Sequence, residues 1–348
     1  MCVDTTGMNF RVLAIVLVLL GPSVEVQAGL SVSEQLRQCC SLASRVFDSS
    51  CRLASRTFAK VNSAVDPYGP LPIEVQKTVN AVETGDYRKH LGPDASIDQA
   101  IETFANYLSE KQPTLPNELM MRAIDIVAGV VGLGVSTPVV LGAGIAILIE
   151  DGHDPRFFQT RLTKDAPNGE SVTFEIYKLR SMSIDAESAQ NGGAQFARAG
   201  DSRVTRVGRM IRATRIDELL QFINMIKGDM SLIGPRPERP VLAEKIMKAL
   251  PHFKLRTKVK AGVTGISASK FDPIGAPRPG DPLFELVKDE KFYTPLKEVP
   301  NGAEHAKLKL LGDLLWMVKL TQSPQNIAIL VVKTSAKTAD TMLKKVGY

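Results

Sequence analysis

Residues 124–149 read IDIVAGVVGLGVSTPVVLGAGIAILI, and Asp125 is the one charged residue in the run. As a continuous helix the stretch would reach ~39 Å at 1.5 Å per residue, enough to cross a hydrocarbon core of ~30 Å. Ser136-Thr137-Pro138 stands in its middle. Proline lacks an N–H and its ring clashes with the carbonyl one turn back, so Pro138 kinks or breaks the helix. The hydroxyls of Ser136 and Thr137 can satisfy the freed backbone groups, as in membrane helices that tolerate proline. Two geometries follow: a kinked span, or a helix that folds back and leaves on the side it entered. A buried core helix is disfavoured by the length and by Gly129, Gly132, Gly134, Gly142 and Gly144. Membrane association is the better reading.

Around this stretch the composition is ordinary. The chain has 348 residues, room for about two domains at ~150 residues each. With 44% apolar and 23% charged residues, wholesale disorder, a collagen-like repeat, a disulfide-stapled miniprotein and a polytopic membrane protein are all excluded. The net charge of +6 is unevenly spread, with nine Lys/Arg against eleven Asp/Glu in residues 29–121 and twenty against thirteen in 151–262. An anionic partner therefore belongs to the second segment. The four cysteines, Cys2, Cys39, Cys40 and Cys51, show no C-x-x-C spacing and no following histidine cluster, which argues against zinc.

Toward the N-terminus, residues 11–28 (RVLAIVLVLLGPSVEVQA) place a basic residue before an apolar run and end in small residues. The segment reads as a signal peptide, an apolar anchor, or sequence ahead of the true start. Residues 40–47 (CSLASRVF) recur as 51–58 (CRLASRTF), a period of eleven that keeps Leu42 and Leu53, and Phe47 and Phe58, along one helix surface. Such a helix is either an ordinary surface helix or a basic amphipathic one lying on a membrane or partner. Beyond the apolar run, residues 171–179 (SVTFEIYKL) alternate as a strand, 186–200 are loop-like, and helical periodicity returns over 204–211 and 216–226. There is no G-x-G-x-x-G, no P-loop and no evident strand–helix alternation, so a Rossmann domain is not indicated.

Chemistry concentrates at residues 214–228, TRIDELLQFINMIKG. Thr214 followed by Asp217 suggests a capping box, with Asp217 and Glu218 in the first turn of a helix ended by Lys227-Gly228. The neighbours argue for more than capping. Arg203, Arg206, Arg209, Arg212 and Arg215 crowd one stretch, and Arg236 stands between Pro235 and Pro237. A guanidinium held on extended backbone matches phosphate oxygens bidentately. Carboxylates placed there are not needed to bind phosphate, but can attack it or hold Mg²⁺ against it.

The segments YKLRSM (177–182), DSRVTRVGRMIRATRIDELLQFINMIKGDMSLIGPRPE (201–238) and KAGVTG (260–265) resemble the bacterial sugar transferase family, the monotopic polyprenyl-phosphate phosphoglycosyl transferases. The resemblance extends over about residues 121–337 and includes Arg122, Asp125 and the proline break. It implies transfer of sugar-1-phosphate from a nucleotide diphosphate sugar, usually a UDP-sugar, to undecaprenyl phosphate with release of UMP. This would be the first membrane step of exopolysaccharide, O-antigen or glycan assembly. Asp217 would be the nucleophile, forming a covalent phosphosugar intermediate with Mg²⁺ nearby. Glu218 would be its partner, handling a proton of the lipid phosphate or orienting it. Arg236 would grip phosphate, and Lys178, Arg180 and Arg212 would line or support the site. The membrane segment would be re-entrant, at the cytoplasmic face of the inner membrane. A homodimer or glycan-assembly partners are both open.

The sequence departs from the family pattern in places. Ser136-Thr137-Pro138 replaces a direct Ser-Pro, Ile266-Ser267-Ala268-Ser269 replaces Trp-Ala-Gln, and FDPIGAPRPGDP (271–282) stands where Gly-Arg-Asn is common. The expectation is thus an α+β protein: a small membrane-associated catalytic domain with one broken, re-entrant helix and amphipathic helices, preceded by a helical extension. Its segments would be 1–28 (signal-like or anchor), 29–120 (extension and linker), 121–150 (membrane helix) and 151–348 (catalytic). The competing reading is a non-catalytic membrane scaffold of a glycan-assembly complex. A nucleic-acid surface is disfavoured, since the arginines lack interleaved aromatics and only 6% of residues are aromatic.

Overall fold

The computed structural model describes residues 69–186, 188, 201–267, 287–296, 299 and 305–345. The signal-like segment, the eleven-residue repeat, nearly all of the 186–200 loop and the 271–282 departure lie outside the described residues.

Helices α1 (Ile73–Thr84), α2 (Tyr87–Leu91) and α3 (Ile97–Glu110) precede the long α4 (Leu115–Asp151). Ser96 and Gln99 form a reciprocal capping box that starts α3. The buried stripe of α3 (Ile97, Ile101, Phe104, Leu108) joins one core with Val79 and Val82 of α1 and with Leu311, Leu315 and Trp316 of α8 (Ala306–Leu320). Ion pairs Lys307–Asp98 (2.8 Å) and Lys319–Glu83 (3.0 Å) border that contact. Pro70–Val346 is one compact unit, so the division expected at residue 120 falls inside a shared core. The linker expected to end near Asn117 is the four residues 111–114, and Asn117 itself already lies in α4. Asn117 is buried and donates from Nδ2 to the carbonyls of Leu320 (2.8 Å) and Gln322 (2.7 Å).

Helix α4 is continuous where the sequence allowed either a kink or a break at Pro138. It runs 37 residues with Pro138 inside it and stops at Gly152, whose φ of 74° closes the C-terminus. Proline removes one N–H, the partner of the Gly134 carbonyl, and one lost bond does not end a helix of this length. Thr137 Oγ1 donates to the Leu133 carbonyl at 2.6 Å and Ser136 Oγ does so at 3.3 Å, on the residue just before the deprived carbonyl. Met121, Asp125, Gly129, Ser136, Ala143 and Ile147 form a narrow buried stripe. Val127, Val130, Val131, Val135, Leu141, Ile145 and Ile149 are exposed on the other side. Among the described residues this is the one helix long and apolar enough to cross a membrane. A helix apolar on its outward face has lipid as its natural solvent.

Both ends of α4 dock on the same unit. Arg122 donates to the carbonyls of Met225 (2.7 Å) and Ile226 (2.8 Å) at the end of α6 (Gln221–Lys227). Asp125 accepts from Ser231 Oγ (2.9 Å) and the Leu232 N–H (2.7 Å). A Cβ on Gly132 would sit 2.6 Å from the Phe222 ring, so the missing side chain is the slot that ring fills. At the far end, Glu150 accepts from the N–H groups of Arg206 (2.8 Å) and Val207 (3.1 Å), which open α5 (Arg206–Ala213).

Strands β1 (Arg156–Leu162) and β2 (Thr173–Leu179) form an antiparallel pair with Phe158 opposite Tyr177. The alternation of Phe174 and Ile176 buries them as expected. Strands β3 (Met230–Ile233) and β4 (Ala261–Thr264) pair in parallel across α7 (Pro240–Ala249) and a 3₁₀ run, Pro251–Lys258. This β-α-β unit corrects the expectation of no strand–helix alternation. Its strands are four residues each, too short for alternation to register. Helix α9 (Pro324–Lys345) closes the described chain.

Candidate active site

The dyad is placed by a turn, and not by the helix cap that the sequence suggested. Thr214 is the residue that ends α5; its hydroxyl donates back to the Met210 carbonyl at 2.9 Å, and caps nothing ahead of it. Arg215 then adopts φ 58°, the one left-handed non-glycine residue among those described. That conformation costs roughly 1–2 kcal/mol for a residue with a Cβ. It feeds a 3₁₀ turn, Ile216–Glu218, ahead of α6. Asp217 and Glu218 are consequently buried at 8% exposure each, facing β2 instead of solvent at a helix end.

Glu218 collects three cations. Its Oε1 accepts from Lys178 Nζ (2.8 Å) and Arg236 Nη2 (2.8 Å), and its Oε2 from Arg215 Nη1 (3.4 Å). Burial opposes ionisation, but Arg236, Lys178 and Arg215 outweigh it and hold the Glu218 carboxyl well below the usual carboxylate range. Asp217 is the opposite case. Its Oδ1 is buried without a hydrogen-bond partner among the described residues. Burial, then the Glu218 charge, push its carboxyl up to about 6 against the pull of Lys178, Arg215 and Arg212. One carboxylate is neutralised and fixed, while its neighbour is held ready and unpaired.

Arg236 is delivered by the parallel pair. Past the strand ends, the Gly234 N–H donates to the Thr264 carbonyl (2.9 Å) and the Gly262 N–H to the Pro235 carbonyl (2.9 Å). A Cβ on Gly262 would lie 2.1 Å from the Gly234 nitrogen, so the close approach requires glycine. The Arg236 carbonyl accepts from Arg256 Nη2 (2.8 Å), and the Pro237 carbonyl from Arg161 Nη1 (3.1 Å). Arg256 is itself buried against Asp313 of α8, with Nε to Oδ2 at 2.6 Å.

Of the residues expected at the site, Asp217, Glu218, Lys178 and Arg236 come together, and Arg212 acts on Asp217 through its charge. Arg180 is directed elsewhere. Its guanidinium pairs with Asp151 at 2.5 and 2.8 Å and donates to the Asp154 and His153 carbonyls, locking the end of α4 to β2. Three contributors escaped the sequence reading: Arg215 as a partner of Glu218, the Arg256–Asp313 pair behind Arg236, and Asn224. Asn224 is fully buried; it accepts from the Tyr177 N–H (3.0 Å) and donates to the Glu175 carbonyl (2.8 Å), fixing the strand that carries Lys178. An asparagine amid an apolar helix stripe, and an aspartate inside LKLLGDLLWM, were the available signals.

For Mg²⁺, the described residues hold no cluster of three or more metal-ligating side chains. Both Glu218 oxygens are occupied by cations, leaving the unpartnered Asp217 Oδ1 as the free anionic ligand. Such a donor set fits a hard cation that brings phosphate oxygens and water with it, the usual habit of Mg²⁺.

Comparison with known proteins follows the same residues. A family model described as bacterial sugar transferase matches residues 116–272. A Bacillus subtilis (strain 168) protein named "Putative undecaprenyl-phosphate N-acetylgalactosaminyl 1-phosphate transferase" is 44% identical over 158 residues, 45% of this chain and 82% of that one. The UDP-N-acetylgalactosamine-undecaprenyl-phosphate N-acetylgalactosaminephosphotransferase of Aeromonas hydrophila is 39% identical over 160 residues, 46% of this chain and 36% of that one. The UDP-glucose:undecaprenyl-phosphate glucose-1-phosphate transferase of Caulobacter vibrioides (strain ATCC 19089 / CIP 103742 / CB 15) is 36% identical over 155 residues, 44% of this chain and 55% of that one. The chain thus spans well under two thirds of the last two relatives.

Proposed function

This chain belongs to the bacterial sugar transferase family, and on that premise we propose that it moves sugar-1-phosphate from a nucleotide diphosphate sugar, a UDP-sugar by preference, to undecaprenyl phosphate. The observation that carries the proposal is the asymmetry of the dyad: a buried Asp217 oxygen with no partner beside a Glu218 held by three cations.

In this reading Asp217 attacks the phosphorus that bears the sugar. The bond to the bridging oxygen breaks, UMP leaves with that electron pair, and an aspartyl phosphosugar remains. An oxygen of the lipid phosphate then attacks the same phosphorus, giving a lipid diphosphate sugar and freeing the Asp217 carboxylate. Glu218 is too firmly ionised to be a strong base. Its work is to hold Lys178, Arg215 and Arg236 where phosphate charge develops, since phosphoryl transfer is chiefly positioning and charge neutralisation. Asp217 would be the residue to hold Mg²⁺, which when bound would supply Lewis-acid neutralisation of phosphate charge.

The docking of both α4 ends on one unit supports the re-entrant arrangement. A straight 37-residue helix would be ~55 Å long and, as a span, would carry one end across the bilayer, away from the domain that binds the other; the re-entrant reading therefore takes α4 to bend, without unwinding, at Pro138. With α4 re-entrant, the site sits at the cytoplasmic face of the inner membrane, where nucleotide sugars are made. The test is release of UMP from UDP-sugars with undecaprenyl phosphate present. Asp217→Asn is expected to abolish it, and unchanged turnover would defeat the assignment.

A further inference from the structure

A second charged cavity, of about 240 Å³, lies at the base of α4, between its first turns, β3, the segment entering β4, and α8. None of Asp217, Glu218, Lys178, Arg215 or Arg236 lines it. Part of its lining is apolar, with Leu115, Leu119, Trp316 and Leu320. The charged residues of the lining are Arg122, Lys164 and Lys260, with Glu118 and Asp125.

These charges are not equally committed. Lys164 is paired with Glu118 at 2.6 Å. Asp125 is covered by Ser231 and the Leu232 N–H, and Arg122 spends two donors on backbone carbonyls. Lys260 is half-buried and has no hydrogen-bond partner among the described residues. Burial, then the Arg122 charge, push its ammonium down from the ordinary lysine range, so its protonated form gains from an added anion. The cavity therefore combines a lysine that Asp125 and Glu118 reach through charge alone, with no hydrogen bond to either, with an apolar lining. Leu115 and Leu119 are also 67% and 61% exposed where the membrane helix begins.

We propose that this cavity binds a lipid-borne phosphate, with the phosphate on Lys260 and the apolar attachment along Leu115, Leu119 and Trp316. The proposal rests on the reading that α4 lies in the membrane, which brings the cavity mouth to headgroup level. A lipid held there would fix the depth of the catalytic unit against the bilayer. The two sources of such a phosphate are a bilayer phospholipid and a polyprenyl phosphate.

Trp316 is the chain's single tryptophan and forms part of the wall, so its fluorescence reports occupancy directly. The experiment titrates the full chain in neutral detergent with dihexanoyl phosphatidylglycerol, dihexanoyl phosphatidylcholine, farnesyl phosphate and inorganic phosphate. Phosphatidylglycerol or farnesyl phosphate is expected to half-saturate the emission change at a concentration at least about tenfold below phosphatidylcholine. Whichever saturates first identifies the source. Lys260→Gln should erase that preference and Lys260→Arg should keep it. Leu119→Asp, at an exposed position that leaves the core intact, should weaken both lipids about tenfold. Inorganic phosphate saturating in the same range, or no preference for the anionic lipids, would overturn the proposal. Asp217→Asn should leave the response unchanged, so a failed dyad assignment and a failed lipid site give different results. Loss of the response in that variant would also overturn it.

Discussion

Two buried acid–base clusters lie back to back in this protein, and their stoichiometry separates chemistry from scaffolding. Behind Arg236, one guanidinium, Arg256, serves two carboxylates, Asp313 at 2.6 Å and Glu238 at 4.0 Å. In front of it, Lys178, Arg215 and Arg236 converge on Glu218 while Asp217 keeps an unpaired oxygen. The rear cluster is short of positive charge and repels an anion. The front cluster sets Lys178, Arg215, Arg236 and Arg212 around two carboxylates, the positive environment that a pyrophosphate would need under the proposed function. They share one residue, since Arg256 holds the backbone of Arg236. The rear pair is thus a positioning device for the front one.

The largest expected effect comes from removing the unpaired carboxylate. Asp217→Asn should lower kcat by about 10³-fold or more, as for loss of a covalent nucleophile, while raising stability. The sign follows from the titration: a carboxyl moved from 3.8 to about 6 in the folded protein destabilises it when ionised. That penalty is full above about pH 6 and gone below about pH 4, and amounts to roughly 3 kcal/mol. Denaturant unfolding of both proteins at pH 8 and pH 4 checks it. A variant less stable at pH 8 would break the contrast between the clusters.

The rear cluster should respond in the opposite way. Arg256→Ala leaves Asp313 buried with only its Ser267 hydrogen bond, and is expected to cost about 3–5 kcal/mol. The double change Arg256→Met with Asp313→Leu should recover most of that stability yet keep kcat/KM low, because the Arg236 backbone loses its anchor. Thermal unfolding together with steady-state kinetics separates the two effects.

Smaller is the effect of Arg236→Lys. It keeps the charge but loses bidentate geometry, and kcat/KM for the nucleotide sugar should fall about 10–100-fold with little change in unfolding midpoint. The mildest test is pH. The acid limb of kcat/KM should have its midpoint near 6, falling tenfold per pH unit below it, as the ionised Asp217 disappears.

Much of the front cluster was legible in the sequence, and the rear one was not. Asp217-Glu218, the arginine run and Pro-Arg-Pro announce phosphate chemistry because charge density is a local property. The membrane character of α4 was legible for the same reason, since hydropathy is read along the chain. What escaped depends on distant partners. Thr214 looked like a cap, but whether its hydroxyl reaches forward or back depends on Arg215 turning left-handed, which that arginine does not advertise. Asp313 sits in an apolar run, and the need to pair it was visible without any sign that Arg256 would do so. Pro138 announced a kink or a break, and the helix runs on through it, with the Thr137 hydroxyl on the Leu133 carbonyl beside it. Residues 73–110 read as an extension, yet their apolar stripe completes the core of α8.

The central claim is that Asp217, and not its better-bonded neighbour, becomes covalently attached to the phosphosugar. The direct measurement is intact-protein and peptide mass analysis of the full chain mixed with a UDP-sugar in the absence of lipid acceptor. The account predicts one added sugar phosphate, mapped to Asp217, chased off by undecaprenyl phosphate and absent from Asp217→Asn. An adduct mapped to Glu218, or one that persists in Asp217→Asn, would contradict it.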